Sequence, residues 1–332
     1  MDFNQFADFF SIIREVLFMQ TERFMQKMND GTEIAVNRWI PENEDEIKAV
    51  VVFSHGMLEH ALRYDRIGSV FAENGYVFSA HDHRGHGKTA QLAEQNGTGC
   101  FGKLSDRDGF NRITSDLAEI IDEIKNDYPD KKIILMGHSF GSFVAQNYIE
   151  KYGTKINGCI LIASSGKQKL ARIGCLITGI AGLFGKNRKS KFIQNIAFTG
   201  YNSRVKNKSH EFSWLCSSDA NLMLYQNDSW CGGVETVGFF NDMARGLCQI
   251  HNAKNIAKIP ENLPILFASG SDDPVGEYGV SIERLIKRYI KNGIQSVQFN
   301  RYEGDRHEIL NEDDSDKVVQ DLFDWIEKNT SL

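Results

Sequence analysis

The chain has 332 residues, 41% apolar with only five prolines, a composition that suits a large buried core and excludes a disordered or collagen-like protein. Its net charge of −6 is unevenly spread: ten Lys or Arg and no Asp or Glu fall between Gly166 and His210, leaving 28 basic against 44 acidic residues, −16, on the rest. An acidic body gives no reason to expect a nucleic-acid partner, and the longest apolar stretch, RIGCLITGIAGLFG at 172–185, is too short to span a bilayer.

In chain order, residues 1–20 predict an amphipathic helix, with Phe3, Phe6, Phe10, Ile13 and Leu17 at helical spacing. The acidic start MDFNQFADFF lacks the basic-then-apolar pattern of a secretion signal. Six cysteines without C-x-x-C spacing read as reduced thiols, so the expected location is cytoplasmic. Residues 24–41 follow as a hairpin turning at Asn29-Asp30-Gly31. Short apolar runs at 49–56, 76–83, 132–139, 158–165, 264–271 and 296–302 then alternate with helical patterns at 62–74, 110–127, 140–152, 277–292 and 313–328. That alternation predicts an α/β protein whose mostly parallel, doubly wound sheet is covered on both faces. Roughly ninety residues intervene between two of the strands, far more than a crossover needs. The expected organisation is a core over 21–165, a helical cap inserted at 166–255 and the rest of the core at 256–332.

The strongest chemical signal is GHSFG, Gly137 to Gly141, between the apolar KIILM and the helical SFVAQNYIEKY. A serine on a tight strand-to-helix turn needs small neighbours two residues away on each side, and Gly137 and Gly141 supply them. The turn lifts the Ser139 hydroxyl above the sheet and aims the helix start at it, where free N–H groups favour developing negative charge.

A serine hydroxyl is a weak nucleophile until a base, itself oriented by a carboxylate, takes its proton. Downstream lie His210, His251 and His307; the first two fall in the cap, whereas His307 sits in a loop between a strand and the last helix. His307 is therefore the expected base. Asp272 and Asp273 both stand at the end of the preceding strand, and Asp273 is preferred because the residue before a proline is held extended. Two N–H donors should form an oxyanion hole: Phe140 after the nucleophile, and Met57 in the loop FSHGMLEH, which His55 and Gly56 support.

HDHRGHG, residues 81–87, has the look of a metal cluster. The H-x-H-x-D-H pattern wants an aspartate where Gly85 stands, and no reaction step is left that needs zinc, so no metal and no cofactor is expected. The alternative is a brace, in which Asp82 and Arg84 tie this turn to the HGMLEH loop and the histidines line its back.

Together HGMLEH, DHRGHGKT, DYPDKKIILMGHSFGS, GSDDPV and YEGDRHE resemble the monoacylglycerol lipase and lysophospholipase branch of the α/β-hydrolase superfamily, from about Thr32 to the carboxyl terminus. The resemblance is weaker in the cap, although SWL at 213–215 and the stretch 231–247 look like bacterial members; the helix before Thr21 has no counterpart. It implies an α/β-hydrolase fold and a serine hydrolase for esters of a single acyl chain. Ser139, Asp273 and His307 match its triad, with Met57 and Phe140 as oxyanion donors. The commoner elbow reads GHSMGG, and the bulkier Phe140 is expected to narrow the acyl entrance.

The same elbow serves peptidases and thioesterases, and a non-catalytic binder could keep the fold. In the cap, apolar residues from Ile173 to Phe184 recur at helical spacing beside KNRKSK. Two readings remain: a lid with a solvated charged end, or a face that docks on anionic membrane through 166–210. Neither oligomeric state nor acyl length follows from the sequence.

Overall fold

A computed structural model describes residues 19–330 apart from 169, 207 and 209. The amphipathic helix expected over 1–20 lies outside the described residues except for 19 and 20, which open the first strand. Strands β1 (Met19–Lys27) and β2 (Glu33–Pro41) form the antiparallel hairpin, with Gly31 at φ +86° where an L side chain would be strained. Six further strands follow: β3 (Ala49–Ser54), β4 (Tyr76–His81), β5 (Lys132–His138), β6 (Gly158–Ile162), β7 (Ile265–Gly270) and β8 (Val297–Tyr302). The eight lie in the order β1-β2-β4-β3-β5-β6-β7-β8, parallel from β4 to β8. Strands β3, β4, β6 and β7 are buried along their whole length, which is why they read as unbroken apolar runs.

Helices cover both faces. On one, α1 (Asp65–Glu73) and the last helix, Ser315–Thr330, pack Phe71, Leu322 and Trp325 against Trp39, Phe53 and Phe78. On the other, Gly109–Asp127 and Phe140–Tyr152 contribute Ile113, Leu117 and Val144 to a second cluster. With α2 (Gly87–Gln95) counted, these helices are α3 and α4. Helix α2 is absent from the sequence reading because it buries only Gly87, Thr89 and Ala90, leaving no apolar stripe to detect.

Between β6 and β7 the named elements are all helices: α5 (Ala171–Gly182), α6 (Lys191–Ala197), α7 (Asp219–Asn227), α8 (Val237–Ile250) and α9 (Ala253–Ile256), followed after β7 by α10 (Val280–Lys291) and α11, the last helix. Helix α8 joins this segment to the core. Its Phe239, Phe240 and Leu247 belong to the second cluster, and a Cβ on Gly246 would lie 2.3 Å from the Phe110 ring. The chain runs from β3 to β4 on one side and then to β5 on the other. The loops after β3 and β5 therefore diverge, opening a crevice at the carboxyl edge of the sheet.

The join between the hairpin and α1 is tight. Trp39 is fully buried, donates from Nε1 to Asp65 Oδ1 at 3.0 Å and lies where a Cβ on Gly68 would come within 2.4 Å. Gly68→Ala should lower stability by about 1–3 kcal/mol in denaturant unfolding, because the locked indole cannot move aside; an unchanged midpoint would mean that it can.

Candidate active site

Ser139 stands between β5 and α4 at φ 52° and ψ −119°, outside the favoured regions for an L residue. Its neighbours hold it there: its N–H donates to Ile162 O at 3.0 Å, and its carbonyl accepts from Ser142 N at 2.9 Å and Ser142 Oγ at 2.6 Å. A Cβ on Gly137 would stand 2.5 Å from Gly141 O, and one on Gly141 would stand 2.0 Å from Ser54 O. The glycines thus permit both the turn and the close approach of β3. Phe140 is the first residue of α4, so its N–H has no acceptor within the helix.

His307 and Asp273 meet: the imidazole Nδ1 lies 2.9 Å from Asp273 Oδ1, both side chains buried. Asp273 is further held by Ser269 Oγ at 3.2 Å and Val275 N at 2.9 Å. With Nδ1 committed to the carboxylate, Nε2 is the ring nitrogen able to take a proton. Ser139 and His307 line one cavity of about 580 Å³. Its other walls are mainly apolar, from Met57 and Phe143 in the core to Ile177, Phe198 and Trp214 between β6 and β7. Trp214 packs on the His307 ring at 4.9 Å. His210 and His251 line no part of it, and Asp272 is exposed.

Phe140 corrects the sequence expectation. Its ring is fully buried against His83, Phe110 and Phe239 and does not line the cavity, so it does not narrow the acyl entrance. As the first residue of α4, its side chain points back under the turn into the core while its N–H stays at the site.

The loop after β3 is pinned peptide by peptide. His55 Nε2 accepts from His83 N at 3.0 Å, which leaves Nδ1–H to donate to Gly56 O at 2.7 Å. Burial, with His83 and His86 nearby, holds His55 neutral by lowering its pKa well below the ordinary value. A trans peptide sets N–H opposite C=O, so this bond also orients the Met57 N–H, and Met57 lines the cavity. The Gly56 N–H donates to Glu59 Oε1 at 2.5 Å, and a Cβ on Gly56 would lie 3.3 Å from Ser139 Cβ.

Glu59, which the sequence reading left unassigned, anchors a buried network. Its Oε1 meets His138 Nδ1 at 3.0 Å and accepts from Tyr64 Oη at 3.1 Å, while Oε2 accepts from Arg63 at 2.6 Å. Arg63 also pairs with both oxygens of Glu308 at 2.8 Å, and His138 Nε2 lies 3.3 Å from His307 O. Burial alone would raise the Glu59 carboxyl; the His138 hydrogen bond and the Arg63 charge outweigh it and hold it well below the usual carboxylate range. Burial would likewise lower His138, but the Glu59 hydrogen bond and charge keep it above 6.5. A clue was present: Arg63, just past the loop motif, is four residues from Glu59, and Glu308 follows His307.

The His307 loop is also clasped from outside the core. Glu308 N donates to Leu215 O at 2.7 Å, Arg306 Nη1 to Ser213 O and Cys216 O at 2.7 and 2.8 Å, and Glu312 accepts from Ser217 N at 2.9 Å.

The HDHRGHG turn braces this assembly, in part differently from expectation. Asp82 accepts from Ala61 N at 2.8 Å and Lys88 N at 2.7 Å, joining the turn to the end of the HGMLEH loop. His83 Nε2 lies 3.1 Å from Ser54 Oγ and 3.2 Å from His55 O, behind the loop. Arg84 instead turns away and forks onto Asp116 and Asp30, because those carboxylates, on α3 and the β1–β2 turn, offer it bidentate partners.

The network sets a pH signature. A group raised above 6.5, as His138 is, stabilises the fold fully below 6.5 and loses that contribution as pH rises through its raised value. A depressed carboxylate such as Glu59 contributes above 4.5 and loses it only as pH falls through its lowered value. Glu59→Gln should therefore cost about 3 kcal/mol, with the largest difference from wild type between the ordinary carboxylate and imidazole values, near about pH 5.5, and a smaller one once pH has risen through the raised His138 value. Denaturant unfolding across that range checks it; a difference independent of pH would disconnect His138 from Glu59.

The serine aminopeptidase S33 family, Hydrolase_4, matches residues 45–314. The chain is 23% identical over 301 residues to the monoacylglycerol lipase of Mycolicibacterium smegmatis, covering 89% of this chain and 93% of that one. It is 28% identical over 247 residues to the monoglyceride lipase of Rattus norvegicus, covering 74% and 71%. In fold it resembles a thermostable carboxyl esterase from Bacillus coagulans, with a TM-score of 0.85 at 24% identity over 94% of this chain and 99% of that one. A soluble variant of monoglyceride lipase from Saccharomyces cerevisiae gives 0.71 at 17% identity, over 94% and 95%. A buried parallel sheet, a strained serine at its carboxyl edge and a match across most of the length agree: the chain is an α/β-hydrolase of the serine aminopeptidase S33 family, in its monoacylglycerol lipase-like branch.

Proposed function

We propose that this protein hydrolyses carboxylic esters of single-chain lipids, monoacylglycerol or lysophospholipid, through an acyl-enzyme on Ser139. The observation that carries this reading is the largely apolar cavity of about 580 Å³ that Ser139 and His307 line together. Its volume lies within the roughly 300–1,000 Å³ of small-ligand sites, and each acyl methylene buried there contributes about 0.8 kcal/mol.

Nε2 of His307 takes the Ser139 proton as Oγ attacks the ester carbonyl, and Asp273 stabilises the imidazolium through Nδ1. The negative oxygen is received by the N–H groups of Met57 and Phe140, each worth on the order of 3 kcal/mol of barrier. His307 returns the proton to the departing alcohol. It then deprotonates the water that releases the fatty acid.

A peptidase acting on a free amino terminus needs a carboxylate to receive the substrate ammonium. Among the described residues the carboxylates on the cavity wall are Glu59 and Glu308, and both are committed to Arg63. This favours the ester reading over the aminopeptidase one.

The helical segment over 166–255 serves as a cap in this reading, and its outer face is suited to an anionic membrane. Leu176 is 65%, Leu183 83%, Phe184 76% and Phe192 73% exposed, in the stretch that carries ten basic and no acidic residues. Ile173 and Ile177 of the same helix line the cavity, so a docked cap brings the lipid surface to the site's wall. Among the described residues no helix is long and apolar enough to cross a membrane. Contact of this kind is peripheral, with roughly 1 kcal/mol from each basic residue near the surface.

A fluorophosphonate probe should label wild type and not Ser139→Ala, whose turnover should fall by about 10,000-fold or more. Equal labelling of the two removes the serine mechanism. Across monoacylglycerols, lysophospholipids, short nitrophenyl esters and aminoacyl amides, lipid esters should be turned over best, and in the presence of EDTA; a preference for the amides transfers the protein to the peptidases. Sedimentation with vesicles should favour anionic over zwitterionic lipid at low salt, and Leu176→Ser should weaken it. Indifference to lipid charge would reduce the cap to a solvated lid.

A further inference from the structure

We propose that His60, Asp228 and Cys231 form a site for a thiophilic divalent cation of the zinc class, joining the loop after β3 to the turn after α7. No metal was expected from the sequence, and this site lies outside the hydrolytic steps assigned above. It is separate from the histidines of HDHRGHG, where His83 and His86 are held by protein hydrogen bonds.

The three residues meet only in the folded chain. His60 closes the HGMLEH motif, whereas Asp228 and Cys231 lie about 170 residues further on, in the turn that follows α7 (Asp219–Asn227). One ligand atom from each lies within 4.8 Å of the others, and His60 Nε2 is 2.8 Å from Asp228 Oδ2. Four-coordinate zinc with N, O and S ligands places such atoms roughly 3.3–3.6 Å apart. The histidine–aspartate pair must therefore open by about half an ångström and the thiol close by about one, shifts within reach of side-chain torsion.

The surroundings are built for it. The carboxylate is aimed by Trp230 N, which donates to Asp228 Oδ1 at 2.8 Å and leaves Oδ2 toward the imidazole. The turn is fixed to the loop by backbone: Leu58 O accepts from Gly232 N and from Tyr225 Oη, each at 3.1 Å. The backbone frame of the site thus exists before a cation arrives, and little ordering remains to oppose binding. His60 is buried, with Trp230 edge-on to its ring at 5.1 Å, while Asp228 and Cys231 are half-buried, leaving one side open for a water as fourth ligand.

Charge also fits. Cys231 offers a sulfur beside an imidazole and a carboxylate, the mixed N, O and S donor set that zinc-class cations take. A bound dication supplies the field that holds that sulfur as thiolate. On binding, the thiol proton leaves to solvent. The imidazole proton moves to Nδ1, which has no other hydrogen-bond partner among the described residues, and the hydrogen bond to Asp228 is replaced by two bonds to the metal. No electron is transferred.

The test is a titration of the purified protein with Cd2+, followed by the ultraviolet thiolate-to-metal charge-transfer band, and then with Zn2+ in competition. Wild type should show a band that saturates at one cation per chain and is displaced by Zn2+, with a rise in melting temperature when loaded. Cys231→Ser should lose the band while keeping its fluorophosphonate labelling, which reports that the variant is folded. Asp228→Asn should keep a band but bind about tenfold or more weakly. The proposal is overturned if wild type shows no saturable band, if Cys231→Ser retains it, which would place the metal on another thiol, or if Asp228→Asn binds as tightly as wild type.

Discussion

Arg63 sits with its guanidinium almost wholly out of water, over the Tyr225 ring at 4.7 Å, between two buried carboxylates that could not be there without it. An unpaired buried charge costs several kcal/mol, so Glu59, Arg63 and Glu308 each require the others, and His138 offsets the second negative charge. The consequence is geometric. Glu59 belongs to the loop after β3, His138 to the elbow and Glu308 to the loop of His307, so one electrostatic constraint fixes the distances among the three segments that make the site. Removing Arg63 strands both carboxylates, and removing either carboxylate frees one segment from the shared guanidinium, so the site is held as a unit.

That constraint acts on a scaffold under strain. Ser139 occupies a backbone conformation that is costly for any residue but glycine, and it stays there because its carbonyl and N–H are both occupied by neighbouring strands and helix. Gly137 and Gly141 yield the space, and the switch of strand order between β4 and β5 opens the crevice into which the hydroxyl projects. The bond from His55 to Gly56 O performs the matching task on the opposite wall, orienting a peptide rather than a side chain.

The segment between β6 and β7 divides its surfaces by chemistry. One side reaches inward through Trp214, Phe198 and Ile177 to the cavity, and its backbone at 213–217 clasps the His307 loop. Its outer side leaves Leu176, Leu183 and Phe184 in solvent beside a run of basic residues. A helix this apolar with so little buried is unsatisfied in water. The polar anchor of Asn241 Nδ2 to Thr178 Oγ1 at 2.9 Å holds α5 on α8 nonetheless.

Periodicity and local chemistry were enough to find the sheet, the hairpin, the serine elbow and the loop positions of Asp273 and His307, because each depends on residues within a few positions of one another: a strand run, a glycine turn, a proline after an aspartate. Helix α2 escaped for the converse reason, since it buries too little apolar surface to leave a pattern. What only the tertiary structure decided are the pairings between distant segments. The fork of Arg84 onto Asp30 and Asp116, the inward turn of Phe140, the sharing of Arg63 by Glu59 and Glu308, and the meeting of His60 with Asp228 and Cys231 all join residues far apart in the chain or depend on which way a side chain leaves a helix. Sequence spacing can set Glu59 beside Arg63 and Glu308 beside His307, but it does not say which distant segments meet, because that is set by how the sheet twists, where the helices pack and which buried charge has a partner within reach.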